Sequence, residues 1–218
     1  YGRGLYTNLY LVFNLNKVMN SQNFFSNTRF LLSGFSLKDL PEDQGIEIAF
    51  CGRSNSGKSS VLNALAKNKK LAKTSKTPGR TQAINIFCLD EQKLRRIADL
   101  PGYGFAKVSK KTQKEWAGFI TDYLNFRKSL KGLVIIMDIR HPFKESDLAL
   151  IDWCHQTDTP LLILLNKADK FSTSKVKEEV KKATFTIEEM NLAGQAIAFS
   201  SKKSIGFKGL TDFLVDWF

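Results

Sequence analysis

The short run Ile46–Phe50 leads straight into Gly52-Arg53-Ser54-Asn55-Ser56-Gly57-Lys58-Ser59, and helix-forming residues follow at once over Lys58–Ala66. This G-x-x-x-x-G-K-S spacing needs a strand before it and a helix after it. The glycines let the backbone curl until successive N–H groups point into one concavity. The helix adds its positive N-terminal end, and the two together cradle phosphate. Gly52, Arg53, Ser54, Asn55, Ser56 and Gly57 would form the cradle. Lys58 would reach the β- and γ-phosphates as a catalytic cation, and Ser59 would give its hydroxyl to a magnesium ion.

The rest of the chain repeats the strand–helix alternation that this loop begins. Six short runs read as strands: Ile46–Cys51, Ala83–Leu89, Arg95–Asp99, Leu133–Asp138, Pro160–Asn166 and Ala196–Ser200. "GLVIIMDI" and "PLLILLN" are apolar throughout, as strands covered on both faces must be. Helical periodicity appears in four further segments. Lys110–Phe126 places Trp116, Ile120, Tyr123 and Leu124 on one face, and Glu145–Gln156 does the same with Leu148, Ile151 and Trp153. Lys175–Lys182 is short and charged, and Gly209–Phe218 carries Leu210, Phe213, Leu214 and Trp217 as a core-facing stripe. One hairpin joins Ala83–Leu89 to Arg95–Asp99. The expectation is an α/β domain: a mainly parallel six-stranded sheet with one antiparallel edge strand and helices on both faces.

Residues 46–218 then form a single domain, with 19–45 as a lead-in. Met19 has the position of a natural start, and residues 1–18 read as an upstream extension foreign to the fold. Their apolar patch, Leu9–Phe13, lacks the basic flank and cleavage site of a signal peptide. No apolar run reaches the roughly 18 residues of a membrane helix, so no stable membrane insertion is expected. Cys51, Cys88 and Cys154 are scattered and lack metal-ligand spacing, and His141 and His155 stand alone. Such thiols suit a reducing compartment, hence a cytoplasmic location, rather than a disulfide framework or zinc site.

Three further motifs choose the nucleotide. Asp99-Leu100-Pro101-Gly102 ends a strand, where Asp99 would reach magnesium through water and the Gly102 N–H would bond the γ-phosphate. Asn166-Lys167-Ala168-Asp169 follows a buried strand. The Asp169 carboxylate can accept bonds from both the ring N–H and the exocyclic amine of guanine. Adenine offers no matching pair of donors, and an unpaired acceptor rejects it. Asn166 would bridge loops around the base, and the Lys167 stem would cover its face. Ser200, Ser201 and Lys202, after the next strand, resemble the S-A-K loop that supports guanine through backbone contact. Between the phosphate loop and Asp99, Thr77 and Thr81 are both candidates to complete the magnesium shell. Together these sites select GTP, with GDP as product, and they argue against a P-loop kinase.

"GRSNSGKSSVLNAL", "TSKTPGRTQAIN", "DLPGYGFAKV" and "NKAD" together resemble the EngB/YihA (YsxC) family of bacterial GTPases, over most of Phe30–Phe218. The resemblance implies a Ras-like P-loop fold and a role in assembly of the large ribosomal subunit, with a link to cell division and septation. It implies Thr81 as the second magnesium ligand and a catalytic residue, with Gly79, Arg80, Thr81, Gln82 and Ala83 lining the nucleotide and Phe199, Ser200 and Ser201 lining the base. Lys58, Thr81 and Gly102 are thus the expected catalytic set. In Ras-like enzymes a glutamine just after D-x-x-G orients the attacking water. Tyr103 stands there instead, which predicts slow intrinsic hydrolysis stimulated by a partner. Asn55 has two readings: a potassium ligand, as in related GTPases, or a residue suited to a strained loop backbone.

The net charge of +12 points to an acidic partner. Lys67, Lys69, Lys70, Lys73, Lys76 and Arg80, then Lys107, Lys110, Lys111 and Lys114, crowd the two segments expected to switch, Thr77–Thr81 and Tyr103–Lys114. Such cations bind nucleic-acid phosphates with little sequence choice, and ribosomal RNA of the large subunit is the expected partner of a monomeric switch. Division proteins are further candidate partners. Two other readings stay open: a signalling GTPase of the division machinery or membrane, and a nucleotide-stabilised RNA-binding scaffold with little turnover.

Overall fold

A computed structural model describes residues 23–72, 83–103 and 110–218, with the side chains of 110–117 outside the description. Among these residues, strands β1 (Arg29–Gly34), β2 (Ile46–Gly52), β3 (Ile84–Cys88), β4 (Arg95–Asp99), β5 (Leu130–Asp138), β6 (Leu161–Asn166) and β7 (Gly194–Phe199) form one sheet. Its order is β1-β3-β4-β2-β5-β6-β7. The five strands from β4 to β7 run parallel, while β3 is antiparallel to both β4 and β1.

The sheet is therefore seven-stranded, not six-stranded, and the antiparallel strand β3 lies inside it rather than at its edge. The added strand comes from the expected lead-in. "RFLLSG" carries no clear strand pattern because its pairing with β3 shifts register between Phe30 and Leu32. A bulge there breaks the period-two alternation by which a strand is read from sequence.

Parallel strands must be covered on both faces, and alternate residues show how. Leu133, Ile135 and Met137 of β5 face one cluster, which includes buried residues of helices α2 (Lys110–Phe126), α3 (Glu145–Gln156) and α4 (Thr173–Glu189). Val134 and Ile136 face the other, shared with α1 (Lys58–Leu65) and α5 (Phe207–Val215). The α4 helix is longer than the expected Lys175–Lys182, because Glu179, Ala183 and Ile187 continue a buried stripe at four-residue spacing past that end. On α3, Ile151 and Cys154 face the core while Leu148 is 45% exposed, so Leu148 leaves the expected apolar face.

One face is closed by residues far apart in sequence. Phe24, Phe25 and Phe218 form an aromatic group with ring centroids 5.1–6.2 Å apart. Trp217 lies over Gly132 so closely that a Cβ there would stand 2.6 Å from its ring. The expected stripe of Leu210, Phe213, Leu214 and Trp217 is thus part of the core.

At the N-terminal end of the central strands lies a buried ionic cluster that the sequence did not announce. Glu47 is fully buried. Its Oε1 accepts from Arg96 Nε at 2.7 Å and Arg127 Nη2 at 2.6 Å, and its Oε2 from Arg127 Nε and Tyr123 Oη, each at 3.0 Å. Arg96 also donates to the carbonyls of Lys93, Glu42 and Gln44. Three elements are pinned by one carboxylate: β2, β4 and the C-terminal end of α2. Removing one partner of a buried ion pair leaves an uncompensated charge. Glu47→Ala is expected to lower unfolding free energy by about 3–5 kcal/mol, read as a shift in the urea midpoint.

Candidate functional site

The parallel strands bring the loops of the four motifs to one edge. Register places Asp138, Asn166 and Phe199 side by side at the ends of β5, β6 and β7. It also pairs Asp99 with Phe50, two residues before Gly52. Ligands of open α/β sheets bind outside such carboxyl ends.

The phosphate loop departs from ordinary backbone where the sequence says it must. Gly57 has φ 96° and Asn55 φ 66°, both left-handed. Asn tolerates this conformation better than most residues. That alone accounts for Asn55, so its residue type no longer points to potassium. Asn166 Nδ2 donates to the Ser56 carbonyl at 2.7 Å, and a Cβ on Gly57 would collide with that same nitrogen. Lys167, also left-handed with φ 65°, donates from Nζ to the Asn55 carbonyl at 2.6 Å. The expected bridging role of Asn166 therefore has a physical form: two consecutive residues of the base-recognition loop hold two consecutive carbonyls of the phosphate loop.

Lys58, the first residue of α1, is ion-paired with Asp99 Oδ1. Asn85 Nδ2 donates to the other oxygen at 3.3 Å. Asp99 is 6% exposed, so the lysine of one motif and the carboxylate of another share one enclosed position. Among the described residues no group of three His, Cys, Asp or Glu gathers as a metal site. The donor set nevertheless suits magnesium. The ion takes hard oxygen ligands, with one or two carboxylates completed by substrate phosphates and water, and the Asp99 carboxylate and Ser59 hydroxyl are of that type.

Gly102 leads into Tyr103, whose backbone lies beside Arg53. The Ser54 N–H donates to the Tyr103 carbonyl at 3.1 Å, and the Tyr103 N–H to Gly52 at 3.4 Å. The Tyr103 hydroxyl donates to Asp147 of α3 at 2.7 Å. Burial first, and then the neighbouring anionic groups, push its pKa far above the ordinary phenol value. Tyr103 is thus a neutral donor engaged with the protein. Asp147 was not anticipated, since one acid in a helical first turn carries no signal of its own.

At the base loop, Asp169 is partly exposed. Ser200 Oγ donates to its Oδ1 at 2.6 Å, and that bond leads the effects that hold the carboxyl below its ordinary value of 3.8. The backbone groups of Ser200 and Ile205 bond each other at 3.0 and 3.2 Å, closing the loop that carries exposed Ser201. Phe199 is fully buried in the core, as are the side chains of Leu100 and Ala168. These three side chains hold the loops in place, which leaves backbone groups as their means of lining the nucleotide. Ala83 is buried too, beside β3. Thr77, Gly79, Arg80, Thr81 and Gln82 lie outside the described residues.

A family model described as "50S ribosome-binding GTPase" matches residues 47–167. Curated relatives called "Probable GTP-binding protein EngB" include one from Idiomarina loihiensis, 48% identical over 89% of this chain and 93% of its own. Another from Aeromonas salmonicida is 46% identical over 89% of this chain and 88% of its own. The chain belongs to the EngB family. Solved structures agree on the fold. A probable GTP-binding protein engB superposes with a TM-score of 0.61 at 23% identity, over 78% of this chain and 97% of its own. A single-site variant of Aquifex aeolicus Era bound to GDP·AlF4− gives 0.60 at 16% identity, over 80% and 57%. An EngB-family chain with these four loops is a GTP-binding protein of the GTPase class, on a Ras-like α/β fold.

Two outcomes follow for this EngB-type site. Gly57→Ala forces a left-handed alanine against Asn166, so GDP binding is expected to fall at least about 100-fold in titration calorimetry, as two strained contacts of this kind imply. The Asp169 carboxylate must be ionised to accept from guanine. Its lowered pKa keeps that form above 3.8 and loses it only as pH falls below. The preference for GDP over ADP, in which titration of the shared phosphates cancels, is therefore expected to be flat from about pH 8 to about pH 5, measured by competition against a fluorescent nucleotide.

Proposed function

We propose that the chain is a slow GTP-hydrolysing switch that binds the large ribosomal subunit through its RNA during subunit assembly, and that normal division and septation depend on it. The observation that carries this reading is the guanine and phosphate site assembled from four loops, in a chain whose family model is described as ribosome-binding. The net charge of +12 supports an RNA partner. Lys67, Lys69 and Lys70, just after α1, are exposed. The other lysines and the arginine expected near the switches have side chains outside the described residues.

Hydrolysis here is mostly positioning and electrostatics. Lys58 and the loop N–H groups would stabilise charge on the transferring phosphoryl oxygens. Magnesium, held by Ser59 and Asp99, would add positive charge against the same phosphates. The Tyr103 hydroxyl, occupied by Asp147, neither takes a proton nor orients water. Turnover is therefore slow until a partner supplies what is missing. Thr81 would join the magnesium shell, and segments Thr77–Thr81 and Tyr103–Lys114 would change the binding surface on hydrolysis. No helix among the described residues is long and apolar enough to cross a membrane. A cytoplasmic, monomeric switch fits this reading.

Sedimentation with purified large subunits, in GDP or a non-hydrolysable GTP analogue and at two salt concentrations, tests it. Binding only with the analogue, weakened by salt, is the expected result. Equal binding in both nucleotides would favour a scaffold. No binding in either would remove the ribosome from the reading and leave the GTP site standing.

A further inference from the structure

The Lys167 ammonium has a second ligand that belongs to none of the four motifs. Asp138 ends β5, in the same register row as Asn166. Its Oδ2 accepts from Lys167 Nζ at 2.8 Å and from Arg140 Nη2 at 2.7 Å. Its Oδ1 accepts from Arg140 Nε at 2.9 Å and from the Arg140 N–H at 3.1 Å. The Lys167 ammonium therefore sits between a carboxylate on β5 and the Asn55 carbonyl of the phosphate loop.

We propose that Asp138 is a positioning residue for the guanine site: it fixes Lys167 across the face of the base, sets how long the nucleotide is retained, and is itself held by Arg140. The inference rests on the reading of this site as a guanine nucleotide site.

The physical need is plain. A lysine stem has four rotatable bonds and a strongly hydrated head. A neutral carbonyl such as that of Asn55 is a weak tether for it. An ionised acceptor makes a bond about twice as strong as a neutral one. The left-handed backbone at Lys167 sets where the stem begins, and Asp138 sets where it ends. With both ends fixed, the methylene stem is preorganised as a wall for a flat ring, and less freedom is lost on binding. Asp138 has a 17% exposed side chain and Lys167 a 29% exposed one, so the pair is partly shielded from water. Burial works to raise the Asp138 pKa, but the bonds from Arg140 and Lys167 outweigh it and hold the carboxyl well below its usual range. Arg140 is the outermost member, at 42% exposure. Its paired bonds hold the carboxylate in the rotamer that meets Lys167.

Release of fluorescent GDP, chased with unlabelled GDP, provides the test, using wild type, Asp138→Asn, Asp138→Glu, Lys167→Ala and the Asp138→Asn/Lys167→Ala double variant. Asp138→Asn is expected to release GDP about tenfold faster, the scale of one charge-assisted bond. It should raise KM for GTP by a similar factor and change kcat less than about twofold. Asp138→Glu should recover part of the loss. In the Lys167→Ala background, Asp138→Asn should add almost nothing, because the residue it positions is gone. Release from Asp138→Asn at the wild-type rate would overturn the proposal. So would an acceleration that persists undiminished without Lys167. Should Asp138→Asn lower the melting temperature too far for assay, Arg140→Ala carries the same test, with faster release expected and an unchanged rate refuting. A wild type that fails to retain GDP would instead refute the guanine site itself.

Discussion

The hydrogen bond from Asn166 Nδ2 to the Ser56 carbonyl joins the two halves of this molecule's chemistry. One half is a loop that cradles phosphate, and the other is a loop that recognises a base. They lie 110 positions apart in the chain, and each would be a generic turn without the other. The bond also explains the glycine that follows. A side chain at Gly57 would occupy the space of the donating nitrogen. The second glycine of the motif thus serves the base loop as well as the phosphate.

Around this bond the loops brace one another. Lys167 reaches Asn55, Lys58 reaches Asp99, Ser200 reaches Asp169, and Tyr103 lies alongside Gly52 and Ser54. Most of these contacts join elements distant in sequence, and each is made at the carboxyl end of the sheet. The opposite end is held by a different device, the Glu47 cluster, with one acid between two guanidinium groups. Stability and ligand chemistry are therefore anchored at separate ends of the same strands.

Much of this was legible because it rests on spacing. Glycine positions, the buried all-apolar strands and the order of the four motifs state the fold and the ligand together, since each has one physical use. The illegible parts rest on relations that spacing does not encode. Strand β1 has a bulge that interrupts its alternation. Asp138, Asp147 and Glu47 are single acids whose meaning comes from partners 29, 44 and up to 80 residues away. Phe199 and Leu100 stand in the expected site loops, but the burial of their side chains in the core is not stated by any motif spacing.

The aromatic seam that brings Phe24 and Phe25 against Phe218, with Trp217 on Gly132, bears on how the molecule is made. Contacts between such distant positions form only after the intervening chain has been ordered or looped out. During synthesis the face covered by α5 stays open to water until residues 207–218 have emerged from the ribosome. The strands of that face are thus made before the helix that covers them, and their apolar side chains meet water until α5 docks.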